Sequence, residues 1–128
     1  MGKYMRAISI FLICICGGLS IALLAMTHHG AVPADSIETL NTAALMQLFG
    51  SLLAVTIISS PQSSKFVSNI VMGGVGFSTI TFFIPICLLG FGIITTTPTA
   101  PFGGIVYILV WAIVAFGLAK QQLKKRND

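Results

Sequence analysis

The sequence predicts an all-α membrane protein, folded as one compact bundle of four transmembrane helices. Hydrophobic residue types make up 55% of the 128 residues and charged types only 8%, whereas soluble domains average about 25% charged residues. The apolar residues also form four continuous runs. Each run is close to the ~20 residues with which a helix crosses a hydrocarbon core. Continuous runs, rather than alternating ten-residue pieces, exclude a transmembrane β-barrel.

The first two spans are delimited by recognisable boundary residues. The four spans, all within a single domain 1–128, are predicted at about residues 7–27, 40–59, 66–91 and 102–120. After the first span, Gly30 stands where a helix C-terminus favours a left-handed residue, and Pro33 bars continuation. Asp35, followed three residues later by Glu38, resembles a capping box that opens the second helix.

The third and fourth spans have similar signals. Pro61 closes the second helix, and Ser63 or Ser64 can cap the third. Pro85 lies inside the third apolar run and predicts a kink there, because proline removes one backbone hydrogen bond. Pro101 suits the first turn of the fourth helix. We therefore expect helical hairpins joined by short loops.

Lysine and arginine residues predict the orientation. All seven lie at the ends of apolar runs: Lys3, Arg6, Lys65, Lys120, Lys124, Lys125 and Arg126. Both termini and the second loop then face the cytoplasm under the positive-inside rule. The first run is longer than the apolar part of a signal peptide, so we expect it to stay as a span. Without a basic stripe interleaved with aromatic residues, the net charge of +4 does not predict a nucleic-acid partner.

The cysteines and histidines do not form a pattern typical of catalysis or metal binding. Cys14 and Cys16 diverge by about 200° on a helix, so they cannot share a metal ion. His28 and His29 also diverge, and together with Asp35 and the nearby Glu38 they lack the spacing of a metal site. We therefore predict no catalytic residue, no metal site and no cofactor.

Three polar residues are predicted in the outer half of the bundle. His29 ends the first helix, Gln47 lies two to three turns into the second, and Tyr107 lies one turn into the fourth. Polar residues inside a membrane are candidates for function. These three can form a structural hydrogen-bonded cluster, or they can contact a lipid or quinone-like headgroup.

Small residues repeat along one face of three predicted helices, which is typical of close helix packing in lipid. The face of the first helix contains Ala7, Cys14, Gly18, Ala22 and Ala25. The face of the second contains Ala43, Gln47, Gly50 and Ala54. The face of the fourth contains Gly104, Tyr107, Trp111 and Ala115. The residues on which we expect packing to depend are Gly18, Gly50, Gly103, Gly104 and Trp111.

One motif carries a family resemblance. Residues 101–111 read PFGGIVYILVW, which fits the pattern P-x-G-G-x-x-[FY]-x-x-x-W. This pattern resembles the final span of the YgdD-like family, small four-helix membrane proteins classed as a domain of unknown function. Weaker similarities follow in residues 23–29, 46–52 and 77–82. Gly50 stands where the family has a histidine, so only His29 of the family's two histidines remains. The resemblance implies a fold but no activity.

These observations favour a non-enzymatic protein. We expect a structural or accessory protein, alone or as a small subunit of a larger membrane complex, in a bacterial plasma (inner) membrane. Its expected partners are membrane lipids and either other subunits or further copies of itself. The second hypothesis is a small oligomeric pore or carrier. The third is a membrane enzyme, for which no span supplies an acid–base pair.

Overall fold

The computed structural model describes residues 3–61 and 63–127. Its five α-helices are α1 (Lys3–His28), α2 (Ile37–Ser59), α3 (Lys65–Ser78), α4 (Ile84–Gly90) and α5 (Ala100–Asn127). A π-helical turn, Thr79–Phe83, joins α3 to α4, so that these two helices form one continuous third span. A 3-10 turn, Ala34–Ser36, leads into α2.

Four helical stretches are long and apolar enough to cross a membrane. They are Tyr4–His28, Ala34–Ser59, Lys65–Gly90 and Ala100–Lys120. At a rise of 1.5 Å per residue, the shortest of them is about 30 Å long, which matches a hydrocarbon core. The protein is therefore an integral membrane protein, and the predicted all-α bundle of four spans is confirmed.

The spans pack as a series of neighbours. Helix α1 packs mainly on α2, α2 also packs on the third span, and α5 packs mainly on the third span. The core has two parts. One, near the first and third loops, contains Leu23, Val32, Leu40, Ala43, Ala44 and Phe83. The other, in the middle and toward the second loop, contains Ile13, Ala54, Ile57, Ile58, Val71, Val75, Tyr107, Val110 and Val114.

Two glycines end their helices in the left-handed conformation. Gly30 has a φ of +70° and Gly92 a φ of +71°, values that side chains disfavour. After Gly30, the amide of Ala31 donates to the carbonyl of Met26 at 3.0 Å. This bond belongs to the Schellman motif, in which a glycine reverses the chain after the last helical turn. The predicted role of Gly30 is confirmed.

The two predicted helix caps have different outcomes. Ser64 caps α3 by accepting a hydrogen bond from the amide of Val67 at 3.2 Å. The predicted capping box of Asp35 and Glu38 is wrong, because α2 continues from a 3-10 turn and its N-cap residue Ser36 makes no side-chain cap bond. The 3-10 turn supplies the first hydrogen bonds of this helix end itself.

The proline of the third span is accommodated by a wider turn. Pro85 stands near the start of α4, immediately after the π-helical turn. A proline ring collides with the carbonyl four residues earlier, and a π-helical turn relieves such a conflict by adding a residue to one turn. The sequence predicts a kink at Pro85; the structure has a π-helical turn, Thr79–Phe83, directly before the helix that contains this proline.

The buried face of α1 differs from the predicted face. Gly18 and the other small residues of that face are exposed, and a Cβ on Gly18 would meet nothing within 4 Å. The buried residues are Ile13, Gly17, Ser20, Leu23 and Thr27. Gly17 makes the close approach, because a Cβ there would lie 3.3 Å from the Cβ of Ser51 on α2. This face also buries the hydroxyls of Ser20 and Thr27, which would otherwise contact lipid.

The predicted face of α2 is buried, with Ala43, Gln47 and Ala54 all at 0% exposure. Gly50 is also buried, and a Cβ there would collide with the ring of Tyr107. Small residues therefore place α2 at the centre of the bundle, as its sequence indicates.

On α5 the tight contact is made by Gly103 and not by Gly104. A Cβ on Gly103 would lie 2.5 Å from Phe82 Cβ and 2.7 Å from Thr81 Oγ1, whereas a Cβ on Gly104 would meet nothing within 4 Å. The predicted packing role of Gly104 is wrong, because adjacent residues point about 100° apart on a helix. Trp111 is 49% exposed and lines a surface groove, so it also does not pack in the core.

Candidate functional site in the bundle core

The candidate site is centred on Gln47, whose side chain is fully buried on α2. Gln47 lies ten residues after the start of α2, about 15 Å along the helix axis. At this depth the surrounding membrane offers no water to pair with an amide, so the protein must supply the partners. The side chains that supply these partners, together with Gln47, form the candidate site.

Three hydroxyl groups surround the Gln47 amide. The hydroxyl of Tyr107, on α5, donates to Gln47 Oε1 at 2.6 Å. Thr79 Oγ1, in the π-helical turn, lies 3.1 Å from the same oxygen and 2.8 Å from the carbonyl oxygen of Val75. Gln47 Nε2 donates to Ser51 Oγ at 3.3 Å. We call Gln47, Ser51, Thr79 and Tyr107 the Gln47 cluster; it joins three of the four spans.

The local sequence explains how Tyr107 reaches Gln47. Gly50 lies three residues after Gln47, on the same side of α2, and its missing side chain leaves the space that the Tyr107 ring occupies. The ring of Phe82 meets the Tyr107 ring edge to face, with centroids 6.4 Å apart and planes at 87°. Such T-shaped pairs are favourable. Gly50 and Phe82 thus hold Tyr107 with its hydroxyl toward α2.

Two further hydrogen bonds between spans flank the Gln47 cluster. Ser78 Oγ donates to the carbonyl oxygen of Gly103 at 2.9 Å, in a buried position. Nearer the first loop, Thr27 of α1 donates to Asn41 of α2. In residues 3–61 and 63–127, no buried side-chain nitrogen or oxygen lacks a hydrogen-bond partner. Several of these bonds join separate spans, whereas others, such as that of Ser20 to the carbonyl of Cys16, lie within one helix.

The structure brings together two of the three polar residues singled out by the sequence. Gln47 and Tyr107 are hydrogen-bonded. His29 is exposed at the end of α1 and does not join the cluster, because Gln47 lies about 15 Å deeper along its own helix. Ser51 and Thr79 were missed. The sequence offered only a weak signal for Thr79, namely its position before Pro85.

A groove runs along the membrane-facing surface beside the cluster. It has a volume of about 410 Å³ and is lined by Met46, Phe49, Tyr107, Ile108 and Trp111. The lining is almost wholly apolar, and the Tyr107 hydroxyl points away from it toward Gln47. Such a groove accepts hydrocarbon, for example a lipid acyl chain, and offers little to a polar headgroup.

The chemistry of the Gln47 cluster is that of neutral amide and hydroxyl groups. These groups donate and accept hydrogen bonds, but at neutral pH they do not exchange protons as a carboxylate or an imidazole does. In the part of the chain that the structure describes, no group of three or more His, Cys, Asp or Glu residues is placed to hold a metal ion. The arrangement is suited to joining helices.

Fold and site together define a small integral membrane protein with four spans and a hydrogen-bonded polar core. Comparison with protein-family models, with curated proteins and with solved structures gave no match to this chain.

Proposed function

We propose that this protein is a structural or accessory component of the membrane, acting as a small subunit that binds a larger membrane protein complex. The observation that carries the proposal is the outer face of α1. Cys14, Gly18 and Ala22 are spaced four residues apart there, and all three are exposed. The opposite side of α1 already packs on α2. A second helix can therefore approach α1 closely from outside.

The physics of helix association in lipid supports this use of the face. Lipid tails are as apolar as leucine side chains, so burying apolar surface alone does not drive helices together. Small residues four apart let two backbones come close, which increases van der Waals contact. The outward surface of α5, by comparison, carries the large side chains of Phe102, Ile105, Ile108 and Leu109. The face of α1 is thus the better partner surface.

The Gln47 cluster supports the same proposal. Gln47 bonds to hydroxyls of the other cluster members, and the bonds to Thr79 and Tyr107 stabilise the bundle by joining its second, third and fourth spans. A pore or carrier formed by several copies is the alternative, and it requires a continuous polar path that the described residues of a single chain do not offer.

We also propose a bacterial plasma membrane and cytoplasmic termini. The distribution of charge supports this orientation: Arg6, Lys65 and Lys120 lie at one end of the bundle, whereas Asp35 and Glu38 lie at the other. Membership of the YgdD-like family remains part of the proposal. It is supported by the use of Gly103 in a close helix contact and of Tyr107 in the core.

The test is purification of the tagged, full-length protein from its native membrane in a mild detergent, followed by mass spectrometry of the intact assembly. We expect a partner at fixed stoichiometry that is lost from the Gly18→Leu variant. Gly73→Leu is the matched control, because Gly73 is also exposed and has nothing within 4 Å of a Cβ. Both variants should keep the wild-type melting temperature.

Three results would contradict the proposal. A chain that purifies as a monomer has no stable partner to bind. Equal loss of the partner from both variants shows that the face of α1 is not the contact. A homo-oligomer that conducts ions or solutes in vesicles supports the pore instead.

A further inference from the structure

A polar notch opens at the end of the bundle where the chain begins and where the second loop lies. Its lining residues are Arg6, Ser63, Lys65, Ser68 and Asn69, and its volume is about 80 Å³. Two of these residues carry a positive charge and three carry neutral hydrogen-bonding groups. A water molecule takes up about 30 Å³ in the liquid, so the notch suits a compact polar group and not a nucleotide.

The notch is built by hydrogen bonds between separate elements. Arg6, on α1, donates through Nη2 to the carbonyl oxygen of Ile58 in the last turn of α2. A guanidinium has five N–H donors in a rigid plane, so this anchor fixes the group and leaves donors free. Ser63, in the second loop, lies 3.1 Å from Ser68 on α3, and Ser68 is only 7% exposed. The second loop is therefore tied to α3 at the floor of the notch.

Among the residues that the structure describes, no carboxylate lies at the end of the bundle that contains the notch. The protein has three acidic residues. Asp35 and Glu38 lie before and in the first turn of α2, at the opposite end of the bundle, and Asp128 lies outside the described residues. The first turn of α3, where Lys65 stands, contains no acidic residue. The positive end of the α3 dipole adds to the same potential.

We propose that this notch binds a phosphate group, carried by an anionic phospholipid or by free phosphate. The Arg6 guanidinium and the Lys65 ammonium supply the two charges, and the hydroxyls and the Asn69 amide supply further donors. Basic pockets between transmembrane helices bind lipid headgroups in this way. The inference does not depend on the proposed role as a subunit.

The surroundings of the notch fit a lipid phosphate. The notch lies where the helices end, which is the depth of headgroups in a bilayer. Large exposed side chains stand next to its cations in the sequence: Tyr4 and Met5 beside Arg6, and Phe66 beside Lys65. These side chains can contact the interfacial region and the acyl chains below a bound headgroup.

The test compares Lys65→Gln with Lys120→Gln in the full-length protein. Both lysines are exposed at the same end of the bundle, but Lys120 lines a separate groove between α3 and α5. Each variant loses one positive charge, so general attraction to an anionic membrane falls equally. Binding of phosphatidylglycerol to the purified protein is measured by native mass spectrometry, and inorganic phosphate is tested separately by its effect on the melting temperature.

We expect Lys65→Gln to lose about tenfold more affinity for the phosphate group than Lys120→Gln loses, as removal of one charged hydrogen bond implies. Lys65→Arg should restore most of the affinity. If phosphatidylglycerol shows this difference and inorganic phosphate has no effect, the ligand is the lipid. If inorganic phosphate stabilises the wild type but not Lys65→Gln, and the lipid shows no difference, the ligand is free phosphate.

The proposal is overturned by either of two results. Equal losses for the two variants mean that only the general surface charge attracts the ligand. Absence of any effect of Lys65→Gln with both ligands means that the notch is not a phosphate site. Because Lys65 is exposed, its replacement should leave the fold unchanged, and the helical circular dichroism and melting curve of each variant in detergent provide the check.

Discussion

At the scale of single residues, Gln47 explains why the second, third and fourth spans stay in register. Its oxygen is within hydrogen-bond distance of hydroxyls from α5 and from the π-helical turn. A buried amide without partners is costly in lipid, because no water replaces them. Sliding or rotating either neighbouring span would remove one of these bonds. The Gln47 cluster therefore selects one arrangement of the bundle, in addition to stabilising it.

We predict that Tyr107→Phe destabilises the protein by about 0.6–1.7 kcal/mol, which are the average and the largest values measured for hydrogen bonds between membrane helices. The substitution removes only the hydroxyl, so the ring keeps its place against Gly50 and Phe82. Reversible unfolding in mixed detergent micelles gives the free energy of unfolding. Tyr4→Phe is the control, because Tyr4 is 87% exposed near the N-terminus.

Equal free energies of unfolding for Tyr107→Phe, Tyr4→Phe and the wild type would show that the hydroxyl of Tyr107 contributes nothing to stability.

The variant Gln47→Leu distinguishes a structural role of the Gln47 cluster from a role as a ligand site. A structural cluster makes this variant unstable. A ligand site lets it fold normally while it loses a lipid or quinone that accompanies the wild type.

The residue scale also shows what the sequence can reveal about the site. Gln47 and Tyr107 stand out because a glutamine amide and a phenol are rare inside apolar runs and because the sequence places both in the outer half of the bundle. Ser51 and Thr79 do not stand out, since serine and threonine in a membrane helix can donate to a carbonyl of their own helix, as Thr79 also does. His29 has the right residue type, but the end of α1 leaves it at the wrong depth.

At the scale of helices, the rotation of a helix about its axis decides which of two adjacent residues packs against a neighbouring span. Gly17 and Gly18 are adjacent, as are Gly103 and Gly104, and in each pair only the first lies in a tight or close contact. Small-residue spacing shows that a helix can be approached closely, but it does not show by which neighbour. The α2 face was predictable because small residues and a buried amide coincide on it. On α1, the small-residue face and the buried polar face are different.

The glycine pair of α5 provides the second prediction. Gly103→Ala should destabilise the bundle by about 1–3 kcal/mol, because the added methyl group would press on Phe82 and Thr81 of the third span. Gly104→Ala should leave the stability unchanged or raise it by up to about 1 kcal/mol, since alanine is the better helix former and the site is open. Both variants are measured by the same detergent unfolding.

The two glycines are neighbours on one helix, so membrane depth and helix propensity are matched within the pair. A smaller loss for Gly103→Ala than for Gly104→Ala would mean that α5 is rotated from the position described. A loss that is equal in both would mean that neither glycine makes the close contact.

At the scale of the whole molecule, the spans were predictable and their arrangement was not. Membrane thickness imposes the length of each apolar run, and proline and glycine mark the loops, so the four helices follow from the sequence almost directly. The series of neighbours, in which α1 reaches the rest of the bundle chiefly through α2, depends on side-chain contacts between distant residues. The π-helical turn was not predictable for the same reason. It lies directly before the helix that contains Pro85, and its residues Thr79 and Phe83 contact residues that are distant in the sequence.

Charged residues are distributed unevenly between the two ends of the bundle, and this distribution predicts the orientation of the protein in the membrane. Arg6 and Lys65 lie at one end, and Asp35 and Glu38 at the other. By the positive-inside rule, we predict that the positive end faces the cytoplasm. In a variant with all three native cysteines replaced by serine, Thr96→Cys in the third loop should react with a membrane-impermeant maleimide added to intact cells. Ser63→Cys in the second loop should react only after the membrane is made permeable. If only Ser63→Cys is labelled in intact cells, the orientation is the reverse of the predicted one. If both cysteines are labelled, the four-span topology is wrong, because the single span between the second and third loops places these loops on opposite sides of the membrane.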